Sequence, residues 1–188
     1  MAGDLEQAAR ALQQSVDRCR TLVAEAPHLR RELDILAKEH RKLVLLAGLT
    51  APEGPTDHLV LGRARYDRKE LAQAAEHFAE ALKDQALRTD LNEGALYDAA
   101  CTAALAGTEA WRNRALGWLA EDVRLRRKWI DEVTTELGQD PSKERRTQLE
   151  ALRAQSVRHL EHARAKDPDL ATLRGTKAFQ RIFQGSRR

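Results

Sequence analysis

The sequence predicts an all-α protein. Apolar residues recur at intervals of three and four over long stretches, which is the period of one helix face. The composition, 42% hydrophobic and 32% charged with 4% aromatic residues, suits amphipathic helices, and the main breaks are short runs rich in glycine and proline. With 188 residues, we expect a single helical domain spanning residues 1–188, large enough for one core.

Residues 1–48 are predicted to form a hairpin of two amphipathic helices, interrupted at residues 26–28 by Pro27. Their apolar stripes are Leu5, Ala9, Leu12, Val16, Cys19, Val23 and Ala26, and then Leu29, Leu33, Leu36, His40, Leu43 and Ala47. Because a heptad seam and a solenoid hairpin share this spacing over so few turns, a short antiparallel coiled coil is an alternative interpretation of the pattern.

Residues 56–87 are predicted to form a second, more regular hairpin after the break at residues 48–55. Thr56 and Asp57 are typical N-cap residues for a helix that runs to about Asp67. The following helix starts near Glu70 and Leu71 and continues to Leu82. Small residues permit the two helices to cross closely, and larger ones fill the remaining space. The packing positions are Leu61, Gly62, Ala74, Phe78 and Ala81.

Residues 90–137 are predicted to form a divergent hairpin, with Thr89 and Asp90 capping its first helix. Cys101 takes the place that Gly62 holds 39 residues earlier, against about 34 residues in an unbroken array. The second helix is expected from about Glu109 to Leu137, and Ala115 and Leu119 are its packing positions. Trp111, Trp118 and Trp129 share one face of this helix.

Asp122 lies within that tryptophan face. A carboxylate there requires a hydrogen-bond or ion-pair partner, and Arg126, one turn further on, is the candidate. The alternative is an acid acting in a pocket, but no second acid or histidine accompanies Asp122 at a fixed spacing.

Residues 143–188 are predicted to cover the end of the domain. A long helix runs to the sequence Asp-Pro-Asp-Leu at residues 167–170. Leu173, Phe179, Ile182 and Phe183 are then expected to fold back as an apolar cap, since a helical array needs a cover at its end. His159 and His162 are interpreted as solvated surface histidines rather than metal ligands, because no further ligand is spaced to complete a site.

Residues 59–82 resemble a tetratricopeptide repeat, although His58 stands where the family has a tryptophan and Ala86 where it has a proline. Residues 97–107, 114–122 and 167–174 resemble the C-terminal tetratricopeptide segments attached to many bacterial serine/threonine protein kinases. The resemblance implies a right-handed solenoid that serves as a regulatory or docking appendage, either a fragment of a larger protein or a short independent one. The kinase domain itself is not expected, since its glycine-rich loop, His-Arg-Asp and Asp-Phe-Gly motifs are absent from the sequence.

The leading functional hypothesis is a non-catalytic module that grips a peptide or helix of another protein in a groove. Carrying the family's groove onto the matching positions gives Leu59, Arg63, Tyr66, Asp67, Asp98, Thr102 and Leu105. For Arg63 and Asp67, one helical turn apart, the alternative is a simple surface ion pair. Tyr66 beside them makes recognition the more attractive interpretation.

Two other functions are open. From Glu109 onward the sequence has 18 Lys and Arg residues and 12 Asp and Glu residues. This basic second half could bind nucleic acid phosphates. Arg124, Arg126, Arg127, Lys128, Arg145 and Arg146 are the candidate contacts. Alternatively, the N-terminal hairpin could pack on a second copy of the chain through Ile35, Val44, Leu45 and Leu46. Nucleic acid is the less favoured partner because the first four basic residues spread around their helix.

An enzyme is not expected, because no nucleophile, base and orienting group can be placed on one surface. Cys19 and Cys101 lie in predicted helix interiors, so neither a disulfide framework nor a thiolate metal site is expected, and no cofactor. A reducing cytoplasm is the expected location. The first residues carry no basic region or apolar run, which predicts neither an export signal nor a membrane anchor.

Overall fold

The computed structural model describes residues 2–25 and 30–184, with the side chains of residues 3–21 and 30–184. Within these ranges the chain forms α-helices, one 3-10 turn and no β-strand, which confirms the all-α class. The helices are α1 (Ala2–Glu25), α2 (Arg30–Leu46), α3 (Pro55–Asp67), α4 (Leu71–Ala81), α5 (Gln85–Thr89), α6 (Ala95–Ala106), α7 (Glu109–Leu137), α8 (Lys143–Ala165), α9 (Ala171–Arg174) and α10 (Lys177–Gln184), and the 3-10 turn is Pro168–Leu170. None of the helices described combines the length and apolar character needed to cross a membrane.

Neighbouring helices pack in chain order from α3 onward. Helix α3 packs on α4, α4 on α6, α6 on α7, and α7 on α8. One apolar cluster, centred on Phe78 and Leu96, joins α3, α4 and α6. A second, centred on Leu119, joins α6 and α7 to the C-terminal segment. The first helix of each hairpin is therefore placed near the first helix of the next.

The packing positions predicted from sequence are buried, with one exception. Phe78 is 1% exposed, and Ala74, Ala81, Ala115, Leu119 and Cys101 are also buried. Leu61 is the exception: it is partly exposed rather than part of the core. Gly62 lies directly against the Phe78 ring, because a Cβ atom built on it would meet three ring carbons at 3.1–3.3 Å. A residue without a side chain is what permits α3 and α4 to approach this closely.

We expect Gly62→Ala to be less stable than Gly117→Ala, although both replace a glycine within a helix. Alanine stabilises a helix interior by roughly 0.5–1 kcal/mol relative to glycine, and nothing lies within 4 Å of a Cβ at Gly117. At Gly62 the methyl group overpacks the Phe78 ring, which opposes that gain. Urea denaturation of both variants measures the difference, and equal gains in the free energy of unfolding would contradict the close contact.

Several helix ends differ from the sequence prediction. Helix α3 starts at Pro55, with Gly54 rather than Thr56 or Asp57 at the N-cap. The expected cap at Thr89 and Asp90 is also wrong, because Thr89 ends the short helix α5 and α6 starts only at Ala95. The Asp90 carboxylate instead accepts bonds from the backbone N–H groups of residues 92 and 93, and this turn absorbs the extra residues between the hairpins. The long helix α7 has the bounds that the sequence predicts.

An ion pair attaches the N-terminal hairpin to α3. Helix α1 packs along α2, and α2 touches α3, where Arg41 donates to both carboxylate oxygens of Asp57 at 2.5–3.3 Å. The backbone N–H of Glu53 donates to the same carboxylate at 3.0 Å. These bonds explain why Asp57 does not cap its helix. The hydrogen bond from Arg41 holds the pKa of Asp57 below its ordinary value. The predicted break at residues 26–28 lies outside the described residues.

We expect Asp57→Asn to destabilise the protein at pH 7 and to destabilise it less in acid. Because the pKa of Asp57 is lower in the folded chain, its contribution is present above its ordinary value near 3.8 and is lost as the pH falls. Denaturation at pH 7 and at pH 3 measures this. The control, Glu150→Gln, removes an exposed carboxylate of α8, and a difference from wild type that stayed constant with pH would contradict the attachment.

The C-terminal segment folds back onto α6 and α7. Leu170, Leu173 and Phe179 are buried in the second cluster, and Ile182 and Phe183 pack against it, which confirms the predicted apolar group. Phe179 and Phe183 contact each other with ring centroids 5.0 Å apart. As a result, residues 167–170 lie across α6 rather than beyond the end of the domain.

Candidate functional site

A cavity of about 350 Å³ opens between α3, α6 and the turn at residues 167–169. Helix α3 contributes residues of its last two turns, and α6 contributes residues of its first two turns. Phe78 of α4 lies among its lining residues. The cavity is lined by Arg63, Tyr66, Asp67, Phe78, Tyr97, Asp98, Cys101, Thr102, Asp167 and Asp169.

Two tyrosine hydroxyl groups connect the helices to the turn. Tyr66 of α3 donates to the Asp169 carboxylate, and Tyr97 of α6 donates to the Asp167 carboxylate. The other oxygen of Asp167 accepts from the backbone N–H of Asp169 at 2.8 Å, which fixes the shape of the turn. Hydrogen bonds to charged acceptors are the stronger class, so the turn forms a fixed wall of the cavity.

The second polar group of the cavity is the Arg63 side chain with its acidic partners. Its guanidinium lies 2.8 Å from Asp98 and 2.5 Å from the Glu93 carboxylate, and it also donates to the Glu93 carbonyl at 2.6 Å. The sequence suggested Asp67 as the partner of Arg63, whereas these contacts tie α3 to the start of α6. Burial raises the pKa of Asp98, and the bond from Arg63 opposes that shift.

The structure brings together five of the seven predicted groove residues. Arg63, Tyr66, Asp67, Asp98 and Thr102 all line the cavity. Leu59 does not: it is 3% exposed and packs in the first apolar cluster, so it is a core residue and not a groove contact. Leu105 is partly exposed and lies outside the cavity lining.

Sequence reasoning missed the far wall of the cavity. It places Asp167 and Asp169 only at the end of α8, and Tyr97 only in a repeat motif. All three residues belong to the segments that carried the family resemblance, so those segments contained the information that could have pointed to them. What the sequence lacked was the contact between segments separated by 70 residues, as in the bond from Tyr97 to Asp167.

The Cys101 thiol and the carboxylates of the turn are the groups of the cavity with possible chemical reactivity. Burial, and then the neighbouring carboxylates, raise the pKa of the Cys101 thiol, so it stays protonated and is a poor nucleophile. Cys101, Asp167 and Asp169 place possible metal-ligand atoms within 4.8 Å of one another. Both carboxylates already accept tyrosine hydroxyl bonds.

A buried polar cluster of α7 and α8 contacts the cavity residue Tyr97. Arg126 donates to Asp122 at 3.0 Å, which confirms the predicted pairing, and the Asp122 side chain is 1% exposed. His159 of α8 lies 3.2 Å from Asp122 and contacts the Tyr97 ring at 4.3 Å between centroids. The expectation of a solvated His159 is therefore wrong, because α8 packs against α7 and turns this face inward. The cluster orients Tyr97 toward the turn.

Three of the six candidate phosphate contacts, Arg124, Arg127 and Lys128, line one cavity on α7, but Asp131 and Glu132 line it with them. Most of the six are engaged by carboxylates or carbonyl groups of the chain itself. Arg126 is buried against Asp122, and Arg127 donates to the Phe183 carbonyl at 2.9 Å. The ion pairs of the others are Lys128 with Glu132, Arg145 with Glu136, and Arg146 with Asp140. Arg124 is exposed on α7. This arrangement does not favour the phosphate contacts proposed for them.

The apolar residues considered for self-association are only partly available. Leu45 is 4% exposed and belongs to the core, whereas Ile35 is 53% exposed. Val44 and Leu46 are partly buried. Isolated exposed apolar residues are normal on protein surfaces, so the hairpin face gives little support for a second copy.

Comparison with known proteins does not assign a role to the cavity. No protein-family model, no curated protein and no solved structure matches the chain. The geometry of α3, α6 and the turn at residues 167–169 is therefore the basis for a functional proposal.

Proposed function

We propose that the chain is a non-catalytic protein-interaction module that binds a short segment of another protein in this cavity. One observation carries the proposal: residues from the first helices of two successive hairpins converge on one concave, solvent-connected cavity. Arg63, Tyr66 and Asp67 come from α3, and Asp98 and Thr102 come from α6. Concave surfaces formed by stacked helical hairpins are typical peptide-binding surfaces.

The packing supports a tetratricopeptide-like arrangement of α3–α4 and α6–α7. Each hairpin packs internally, and α4 packs on α6, which is the nearest-neighbour order of a helical repeat array. The close approach at Gly62 and Phe78 agrees with the small-residue position of such a repeat. Helix α5 and the turn at Asp90 account for the longer distance between the two hairpins.

The turn at residues 167–170 limits what the cavity accepts. Leu170 at its end is fully buried in the core. The turn is therefore part of the folded domain and not a segment that a binding partner displaces. It closes one side of the concave surface. A volume of about 350 Å³ is near the lower end of the roughly 300–1,000 Å³ found for ligand pockets. We infer that a partner inserts one side chain with its flanking backbone, and not a whole helix.

Blocking the cavity tests the proposal. Peptides selected from a displayed random library on the full chain should bind wild type and lose at least tenfold in affinity on Asp67→Trp, because Asp67 is exposed at the cavity rim and a tryptophan there fills the opening. Arg68→Trp is the matched control, since Arg68 is the adjacent exposed residue and does not line the cavity. Selected peptides that bind both variants equally well would refute the proposal.

A further inference from the structure

The cavity is acidic although the chain is basic. One guanidinium, from Arg63, faces four carboxylates, from Asp67, Asp98, Asp167 and Asp169, which leaves a formal charge of −3 on the lining. The whole chain carries +3. A charge of the opposite sign concentrated in one concave site focuses the electrostatic potential there.

Arg63 does not neutralise this charge. Its guanidinium is shared between Asp98 and Glu93, at 2.8 and 2.5 Å, and both partners are acidic. Asp67 at the rim and Asp169 therefore keep their charge facing the cavity, whereas the Asp167 carboxylate also has His162 Nε2 at 3.4 Å. Tyr66 and Tyr97 donate neutral hydroxyl groups to the turn, which orient these carboxylates without supplying a positive charge.

Burial and hydrogen bonding disfavour ionisation of the neighbouring acidic groups. The bond to Asp169 and the surrounding burial raise the pKa of Tyr66, and burial followed by the bond to Asp167 raises that of Tyr97. Burial and the charges of Asp167, Asp169 and Asp98 raise the pKa of Cys101. Of these shifts, the contribution of the three carboxylate charges to the pKa of Cys101 has the sign expected of an acidic cavity, which makes an acidic partner segment unfavourable.

The remaining lining suits a long stem that ends in a positive charge. The partly exposed rings of Tyr66 and Tyr97 offer apolar surface to methylene groups, and the carboxylates lie around them. Lysine and arginine side chains bury their stems in this way while their charged ends stay near polar groups. The chain itself places a cation on one of these rings, since the Lys69 amino group lies 5.1 Å from the Tyr66 ring centroid.

From this charge and shape we infer that the partner segment inserts a lysine or arginine side chain into the cavity between Asp67, Asp98 and Asp169. The inference rests on the proposed function, because it specifies the ligand of the same site. A bare metal ion fits the cavity less well, since the volume of about 350 Å³ far exceeds that of one ion and both carboxylates of the turn already accept tyrosine hydroxyl bonds.

The test asks which residue type a peptide selection on the protein enriches, and whether the affinity of the selected peptides depends on the carboxylates of the cavity. Random dodecapeptides displayed on phage are selected on the full chain, and the enriched peptides are synthesised with each lysine or arginine replaced in turn by norleucine. Their dissociation constants are measured on wild type and on Asp67→Asn/Asp169→Asn, in which the amide carbonyl that replaces the carboxylate of Asp169 still accepts the Tyr66 bond. Asp131→Asn/Asp140→Asn removes two exposed carboxylates elsewhere and is the matched control.

We expect the enriched peptides to share one basic residue whose replacement by norleucine costs at least tenfold in affinity. The cavity double variant should lose at least tenfold, the control less than twofold, and wild-type binding should weaken as salt rises. Peptides that share an acidic or apolar anchor and lose affinity on Asp67→Trp would overturn the inference while leaving the proposed function standing. Peptides insensitive to Asp67→Trp would overturn both.

Discussion

Replacing Asp122 by alanine is expected to lower the free energy of unfolding by about 3–5 kcal/mol, the range for breaking a buried ion pair by removing one partner. The substitution leaves the Arg126 guanidinium, which is itself buried, without its carboxylate at 3.0 Å. It also removes the partner of His159 at 3.2 Å, so α7 and α8 lose a shared acceptor. Chemical denaturation followed by circular dichroism measures the loss.

A double-mutant cycle separates the ion pair from other effects of the change. Because much of the cost comes from the uncompensated charge, Asp122→Leu/Arg126→Met should be more stable than Asp122→Leu alone. Exposed pairs such as Lys128 with Glu132 contribute only about 0–1 kcal/mol and provide the comparison. Purely additive losses at Asp122 and Arg126 would contradict the buried pair.

Leu170→Ala is expected to lower the free energy of unfolding by about 2–5 kcal/mol, as for other fully buried leucines. Leu170 is fully buried in the second apolar cluster and anchors the turn that carries Asp167 and Asp169. Thr172→Ala, two residues on and exposed, is the matched control and should change stability by less than about 0.5 kcal/mol.

The same variant tests whether the turn is part of the fold. If Leu170 anchors it, amide hydrogen exchange in Leu170→Ala should accelerate along residues 167–174 and also in α6, on which the turn packs. Exchange that accelerates in the turn alone, with the stability unchanged, would mean that the turn is a loosely docked segment. The cavity would then have a movable wall.

The helical framework could be predicted because it depends on local periodicity. Helix α7 has its predicted bounds, and Phe78 packs on Gly62 as the small-residue pattern requires. The starts of α3 and α6 were less predictable because residues capable of capping have other partners. Asp57 binds Arg41 of α2, and the Asp90 carboxylate closes a turn. A tertiary contact overrides the capping preference of Asp57, and a local turn does so at Asp90.

The candidate site could be predicted on one side only. Arg63, Tyr66 and Asp98 lie on helix faces that the repeat pattern specifies, and the structure brings them together. The opposite wall depends on the C-terminal segment folding back across α6, a long-range contact that no local pattern contains. The pairing of Arg63 with Glu93 depends in the same way on the turn before α6.

Chemical-shift mapping on the full chain tests the binding site most directly. A ¹⁵N-labelled sample is titrated with a library-selected peptide, and the backbone amide shifts are followed to saturation. The proposed function predicts that the largest changes fall on Arg63, Tyr66, Asp98 and Thr102, and that Asp67→Trp abolishes them. Changes confined to the α1–α2 hairpin or to Arg124, Arg127 and Lys128 of α7, with α3 and α6 unaffected, would contradict it.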